Sequence, residues 1–165
     1  MNNVIITKIE LHKVSVALKE PFVISLGPIY SADNVVVVIH TDNGFTGWGE
    51  CSPFMSINGE TADTGLAVAK YFEKAWLGKN ALDIEQRINE LDNIIYGNNS
   101  IKSAFDMALY DISAQHAGMP LYQFLGGNKN KIIATDYTVS VGDATKMAAD
   151  ALAIKEKGFP VIKVK

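Results

Sequence analysis

The chain has 165 residues, 48% of them hydrophobic and 20% charged, with a formal net charge of -3. That balance belongs to a globular chain holding one domain or parts of two and excludes a disordered tail; it leaves no electrostatic footprint for nucleic acid and no charged block suited to a membrane surface. The longest wholly aliphatic run, residues 35–39, falls far short of the roughly 20 residues that span a bilayer, and the N-terminus lacks a signal peptide's basic start and apolar stretch, so a cytoplasmic location is expected.

Residues 4–18 alternate as a strand, with Ile6, Ile9, Leu11 and Val14 as apolar markers, and Pro21, Gly27 and Pro28 then predict a long loop. Residues 35–39 read as a strand covered on both faces. Asp42-Asn43-Gly44 offers a hairpin turn, since Asn and Gly tolerate positive φ, and residues 45–50 pair back as a third antiparallel strand. Cys51, the single cysteine, has no cysteine or histidine at zinc-ligand spacing and reads as a small, partly buried residue.

Helices follow. One is expected around residues 61–77. A second opens at Asp83, with Gln86 completing a capping box, lines one face with Ile84, Ile88, Leu91 and Ile95, and closes at Gly97. The third is capped by Ser100, carries the stripe Ile101, Phe105, Ala108, Leu109 and Ile112, and ends at Gly118 and Pro120. After Gly126-Gly127 the pattern becomes β, α, β. Residues 131–141 carry strand formers, Asp143 caps a helix with Met147, Ala151 and Ile154 on its inner face, Gly158 ends it, and residues 159–165 form a strand again.

A helix linking two strands predicts a parallel pair. Two strands and one crossover helix cannot bury both faces of a sheet, so the chain reads as the front part of a longer polypeptide. The alternative is a protein that finds its remaining sheet in another chain. The last residues, Lys163-Val164-Lys165, place two ammonium groups on one strand face, about 6 to 7 Å apart. Such crowding disfavours the charged form and can leave one amine basic enough to take a proton. The plainer reading puts both lysines in water and the valine in a core. His12, His40 and His116 are scattered and read as surface or satisfied core residues, and no Ser/His/Asp or Cys/His arrangement emerges.

Taken in order, the meander with Gly47-Trp48-Gly49-Glu50, the helix bearing Ala104, Ala108, Leu109, Asp111 and Ile112, the Gly118-Met119-Pro120-Leu121 turn, Leu125-Gly126-Gly127 and the βαβ unit ending in Lys-x-Lys resemble the enolase superfamily, muconate lactonizing enzyme subgroup. The stretch from Thr135 to Val141, followed by Met147-Ala148-Ala149-Asp150, is similar to its dipeptide epimerases, the branch that includes L-Ala-D/L-Glu epimerase. The resemblance implies an α+β capping domain over residues 1–125, a three-stranded antiparallel meander plus helices. It also implies the first βαβ unit of a modified TIM (β/α) barrel over residues 126–165, truncated after its second strand.

By the same resemblance Lys165 is the acid/base for one face of the substrate, with a lysine on the sixth barrel strand serving the other. Lys163 stays cationic beside the enolate, and Thr138 touches substrate. A Mg2+ ion is implied, held by carboxylates on the third to fifth barrel strands and so by no residue of this sequence. Asp106, Asp111 and Asp136 lack the pattern of ligands, and Asp111 reads as a structural hydrogen-bonding residue. Trp48 and Glu50 read as supports of the capping sheet.

Specificity is expected in residues 20–34 and 51–60. The first segment offers Gly27, Ile29 and Tyr30 but no arginine or lysine, whereas the Ala-Glu epimerases place an arginine at the position aligned with Gly27. Phe54 and Ile57 line the second. These residues suit a small-molecule dipeptide with an uncharged, hydrophobic second residue, with no nucleic-acid or membrane partner; the resemblance also allows a homo-oligomer. Two readings stay beside the epimerase: another reaction of the subgroup (cycloisomerase, N-acylamino acid racemase or o-succinylbenzoate synthase), or a non-catalytic binding module. The 165 residues alone are expected to be inactive.

Overall fold

The computed structural model describes residues 3–164. They form two compact units, one from residues 3–15 and 33–129, the other from residues 16–32 and 130–164. The strands β1 (Ile6–Ile24), β2 (Gly27–Thr41) and β3 (Thr46–Cys51) form a sheet in the order β1-β2-β3. The β2–β3 hairpin turns at 42–44 as expected. Thr41 N donates to Phe45 O at 3.1 Å, Gly44 takes φ of 83°, and His40 then faces Thr46 in an antiparallel register running to Val35 and Cys51. Val35, Val37, Val38 and Ile39 are all buried, which is a strand covered on both faces.

In the first unit the sheet is followed by α1 (Met55–Asn58), α2 (Ala62–Trp76), α3 (Ile84–Ile94), α4 (Asn99–His116) and α5 (Leu121–Phe124). Helix α2 opens on a reciprocal capping box between Thr61 and Thr64. Its Phe72 and Trp76 meet Phe105 of α4 edge to face, at centroid distances of 5.3 and 5.1 Å, and these rings are the centre of the core. The predicted stripe of α4 is fully buried from Ile101 to Ile112.

The Gly-x-Gly of β3 has a packing reason. A Cβ on Gly49 would overlap the carbonyl oxygen of Ala104, and one on Gly47 that of Ala108, so strand and helix meet backbone to backbone. Along the same contact Trp48 N donates to Asp111 Oδ2 at 3.0 Å, and Gln115 Nε2 donates to Thr46 O at 2.7 Å. Asp111 is therefore the structural hydrogen-bonding residue that the sequence suggested. Helix α4 ends in a Schellman motif. Gly118, at φ of 67°, donates to Gln115 O, and Met119 N donates to Ala114 O.

Two expected caps differ from the structure. Asp83 precedes α3 but its side chain makes no capping bond. Ser100 lies inside α4, its N–H donating to Glu60 Oε2 at 3.0 Å, because the helix starts two residues earlier than that cap implies, after Asn98 in left-handed conformation. Gly97 lies beyond Ile95, the residue that closes α3. Two buried cations also escaped the sequence reading. Arg87 pairs with Glu90 at 2.6 Å, and Lys102 donates to Asp92 and to the Ile95 carbonyl at the α3 terminus.

The second unit holds the distal ends of β1 and β2 with β4 (Asp136–Val139), α6 (Ala144–Glu156) and β5 (Val161–Val164). Residues 20–34, expected as a loop, are instead the end of a β-hairpin turning at Ser25-Leu26. Pro21 lies on β1, an outer strand, and Pro28 at the start of β2, two kinds of position that tolerate a missing N–H. Helix α6 is capped by Asp143, whose side chain accepts from Lys146 N, and the strands it links are parallel, as predicted. The first of them is shorter than residues 131–141, since only the stretch opposite β5 pairs. Val139 and Ile154 are buried between sheet and helix, whereas Tyr137, Leu152, Val161 and Val164 are exposed. Among the described residues no helix is long and apolar enough to cross a membrane.

Candidate functional site

The parallel register pairs Thr138 with Lys163, between Tyr137–Ile162 and Val139–Val164. Residues opposite one another on neighbouring strands point to the same face, so the hydroxyl and the ammonium group share one surface near the carboxyl ends of both strands. Thr138 is half-buried and Lys163 exposed. Lys165 lies outside the described residues.

Within the same unit one main-chain bond joins the hairpin to the chain leaving this sheet. Val141 N donates to Val23 O at 3.1 Å, directly after β4. A cleft of about 850 Å3 lies between Leu18, Pro21 and Phe22 of the hairpin and Tyr137, Thr138 and Ile154 of the βαβ unit. Gly27 leaves the turn with φ of 118°, a conformation that side chains rarely adopt, Ile29 is half-buried, and Tyr30 and Leu26 are exposed. On α6 the Asp150 carboxylate, hydrogen-bonded at 2.6 Å, raises the pKa of Lys146, with further attraction from Glu20 and Asp143.

Phe54 and Ile57 belong to the first unit, on the short segment around α1. Phe54 is half-buried and Ile57 exposed. The segment is tied to α4 by Asn58, whose Nδ2 donates to Ser100 Oγ at 2.9 Å, and by the buried Glu60. Neither residue was singled out from the sequence. The only signal, a polar pair astride Gly59, has partners some 40 positions away.

Several other ionisable groups have partners within the first unit. Glu10 accepts from Lys8 and His40, both at 2.8 Å, and these bonds hold its carboxyl down at about 2. His12 lies 3.4 Å from the same carboxylate, and His116 packs edge-on against Phe45. Asn34 donates to Glu50 at 2.6 Å, while Trp48 is exposed. Burial raises the pKa of Asp106, in a groove between α3 and α4. Cys51 is fully buried, more so than expected, and its thiol is pushed up to about 12, first by burial and then by Glu60 and Glu50. Among the described residues no three histidine, cysteine or acidic side chains gather as a metal site.

Known proteins resemble this chain in sequence and backbone. The chain is 59% identical over 161 residues to a D-Ala-D/L-Ala epimerase from Cytophaga hutchinsonii, covering 98% of this chain and 44% of that protein. It is 40% identical to the L-Ala-D/L-Glu epimerase of Bacillus subtilis, with 97% of this chain and 44% of the relative covered. In solved structures the backbone superposes with a TM-score of 0.95 on the dipeptide epimerase of Cytophaga hutchinsonii complexed with Mg and the dipeptide D-Ala-L-Val, at 59% identity over 98% of this chain and 44% of that one. The chain thus spans less than half the length of these relatives. Residues 6–126, which hold the meander, the glycine-bearing strand and the helix packed on it, match the family described as Mandelate racemase / muconate lactonizing enzyme, N-terminal domain, and the chain belongs to that family.

Proposed function

We propose that the protein carrying this chain is a metal-dependent epimerase of dipeptides, inverting the α-carbon of a C-terminal residue with an uncharged side chain. The observation that carries this reading is the pairing of Thr138 with Lys163 across parallel strands, in a chain 59% identical to a D-Ala-D/L-Ala epimerase. On this reading residues 1–125 cap the barrel begun by residues 126–165, and chemistry sits where barrel strands end.

The reaction requires a base on each face of the α-carbon. Lys165, as neutral amine, takes the α-proton while the C–H electron pair moves into the adjacent carboxylate to give an enediolate. Lys163 contributes fixed positive charge beside the developing oxyanion, and Thr138 orients the substrate. Return of a proton from a second lysine on the opposite face gives the inverted centre. Mg2+ is the proposed cofactor of the whole protein. The described residues do not fit a metal, and the steps assigned to them involve none.

The hairpin supports the substrate class. Residues 20–34 contain no arginine or lysine, and the φ of 118° at Gly27 disfavours an arginine on that backbone. An anionic second residue would find no counter-charge on this hairpin, where Ile29 and Tyr30 offer apolar surface, as Phe54 and Ile57 do on the segment around α1. The test is α-deuterium incorporation in deuterated buffer by the full-length protein with Mg2+. A panel of D-Ala-Xaa and L-Ala-Xaa dipeptides should show exchange at uncharged Xaa. Exchange only with glutamate or aspartate at Xaa, or only with N-acylamino acids, would overturn the substrate assignment. The 165-residue chain alone should exchange none of them.

A further inference from the structure

We propose that Asn58 and Glu60 are positioning residues that hold the segment bearing Met55 and Ile57 as a preformed shelf on the first turn of α4, whose apolar side chains meet substrate. The proposal rests on the epimerase reading for what the shelf meets, and on the hydrogen bonds alone for the shelf itself.

A helix of four residues, such as α1, has no stability of its own. Here both of its flanks are tied to one side chain. Asn58 Oδ1 accepts from Phe54 N at 3.2 Å and from Glu60 N at 3.1 Å, closing the segment on itself. Its Nδ2 donates to Ser100 Oγ at 2.9 Å, fastening the closed segment to α4. Glu60 supplies the second tie. Its side chain is buried, at 8% exposure, and its Oε2 accepts from Ser100 N at 3.0 Å.

Helix α4 needs that bond. The residue before it, Asn98, sits at φ of 55° and makes no side-chain capping bond, donating instead to Tyr96 O. One of the helix's unpaired N–H groups therefore finds its acceptor 40 residues back in the chain, and a carboxylate at a helix N-terminus is favoured by the dipole as well. Gly59, at φ of 75°, lets the chain reverse between the two ties. Met55 and Ile57 are nonetheless 71% and 72% exposed. Two large apolar side chains held outward on a fastened turn, rather than folded into the adjacent core, form a surface built for contact.

The experiment uses the full-length protein and two readouts. In Asn58→Ala, exchange of the Phe54 and Glu60 amides should speed up by about tenfold or more, with the core of α4 unchanged. Asn58→Asp, which keeps both acceptor bonds, should restore most of that protection. Ser100→Ala, which removes only the tie to Asn58 Nδ2, should give the smaller effect and serves if Asn58→Ala does not fold. In parallel, KM for D-Ala-L-Val should rise at least fivefold in Asn58→Ala while kcat changes by less than twofold. Unchanged amide exchange overturns the shelf, and faster exchange with an unchanged KM overturns its contact with substrate. If the unaltered protein epimerises no dipeptide, the functional reading falls, and amide exchange alone then decides the shelf.

Discussion

Alanine at Gly49 and alanine at Gly65 should change stability in opposite directions, although both glycines are buried beside α4. At Gly49 the new methyl would overlap the Ala104 carbonyl, which belongs to the helix main chain and cannot rotate away. Strand and helix must separate locally, so the cost lies at the upper end of overpacking, about 3 kcal/mol. Gly65 lies within α2, and its added Cβ would stand 3.6 Å from Cys51 Sγ and 3.9 Å from Ile101 Cβ and Val35 Cγ2, which is ordinary van der Waals contact. There the substitution relieves the helix of glycine's conformational entropy and should gain about 0.5 to 1 kcal/mol. Urea denaturation followed by circular dichroism should thus separate the variants by about 3.5 to 4 kcal/mol, the difference of those two estimates. Shrinking Ala104 to glycine in the Gly49→Ala background should not rescue it, because the obstructing atom remains. A Gly49→Ala variant within about 0.5 kcal/mol of the unaltered protein would refute the backbone contact.

Two further outcomes can be checked directly. The Cys51 thiol, fully buried and with a pKa pushed up to about 12, should resist iodoacetamide at pH 8 in the folded protein and react at once in urea; rapid native-state labelling would contradict its burial. Glu10 is held near 2, against an ordinary 4.5, by its bonds to Lys8 and then His40. A depressed carboxyl stabilises the fold above its unfolded value and loses that contribution as pH falls toward the folded one, so Glu10→Gln should flatten the stability profile between about pH 4.5 and 2. An unchanged slope would show that the pairing does not persist in solution.

What could be read from the sequence was governed by distance along the chain. The 42–44 turn, the stripe of α4 and its glycine terminus, and the Asp143 cap of α6 were all legible, because each depends on residues within a few positions. The hairpin through Pro21, Gly27 and Pro28 was not. Those residues break a strand locally, and pairing between β1 and β2 carries the ladder past them. Glu60 as acceptor for Ser100, and Lys102 at the end of α3, were hidden for the same reason. At the candidate site, resemblance suggested Thr138 and Lys163 separately. Their position opposite one another follows from the ladder register, which no local pattern specifies.

The side chains of Asp111 and Gln115 also determine how the sheet can meet other chains. By occupying Trp48 N and Thr46 O they take hydrogen-bonding groups of β3 that an incoming strand would need. At the other margin the start of β1 is engaged by the segment around Lys79 to Ala81, through Ile6 N to Lys79 O and Ala81 N to Val4 O. Beyond it, β1 carries Lys8, Glu10, His12 and Lys13, charged or ionisable groups that discourage apolar strands from docking edge to edge. The sheet is thus obstructed at two groups of β3 and guarded along β1, a built-in hindrance to aggregation through shared β-structure.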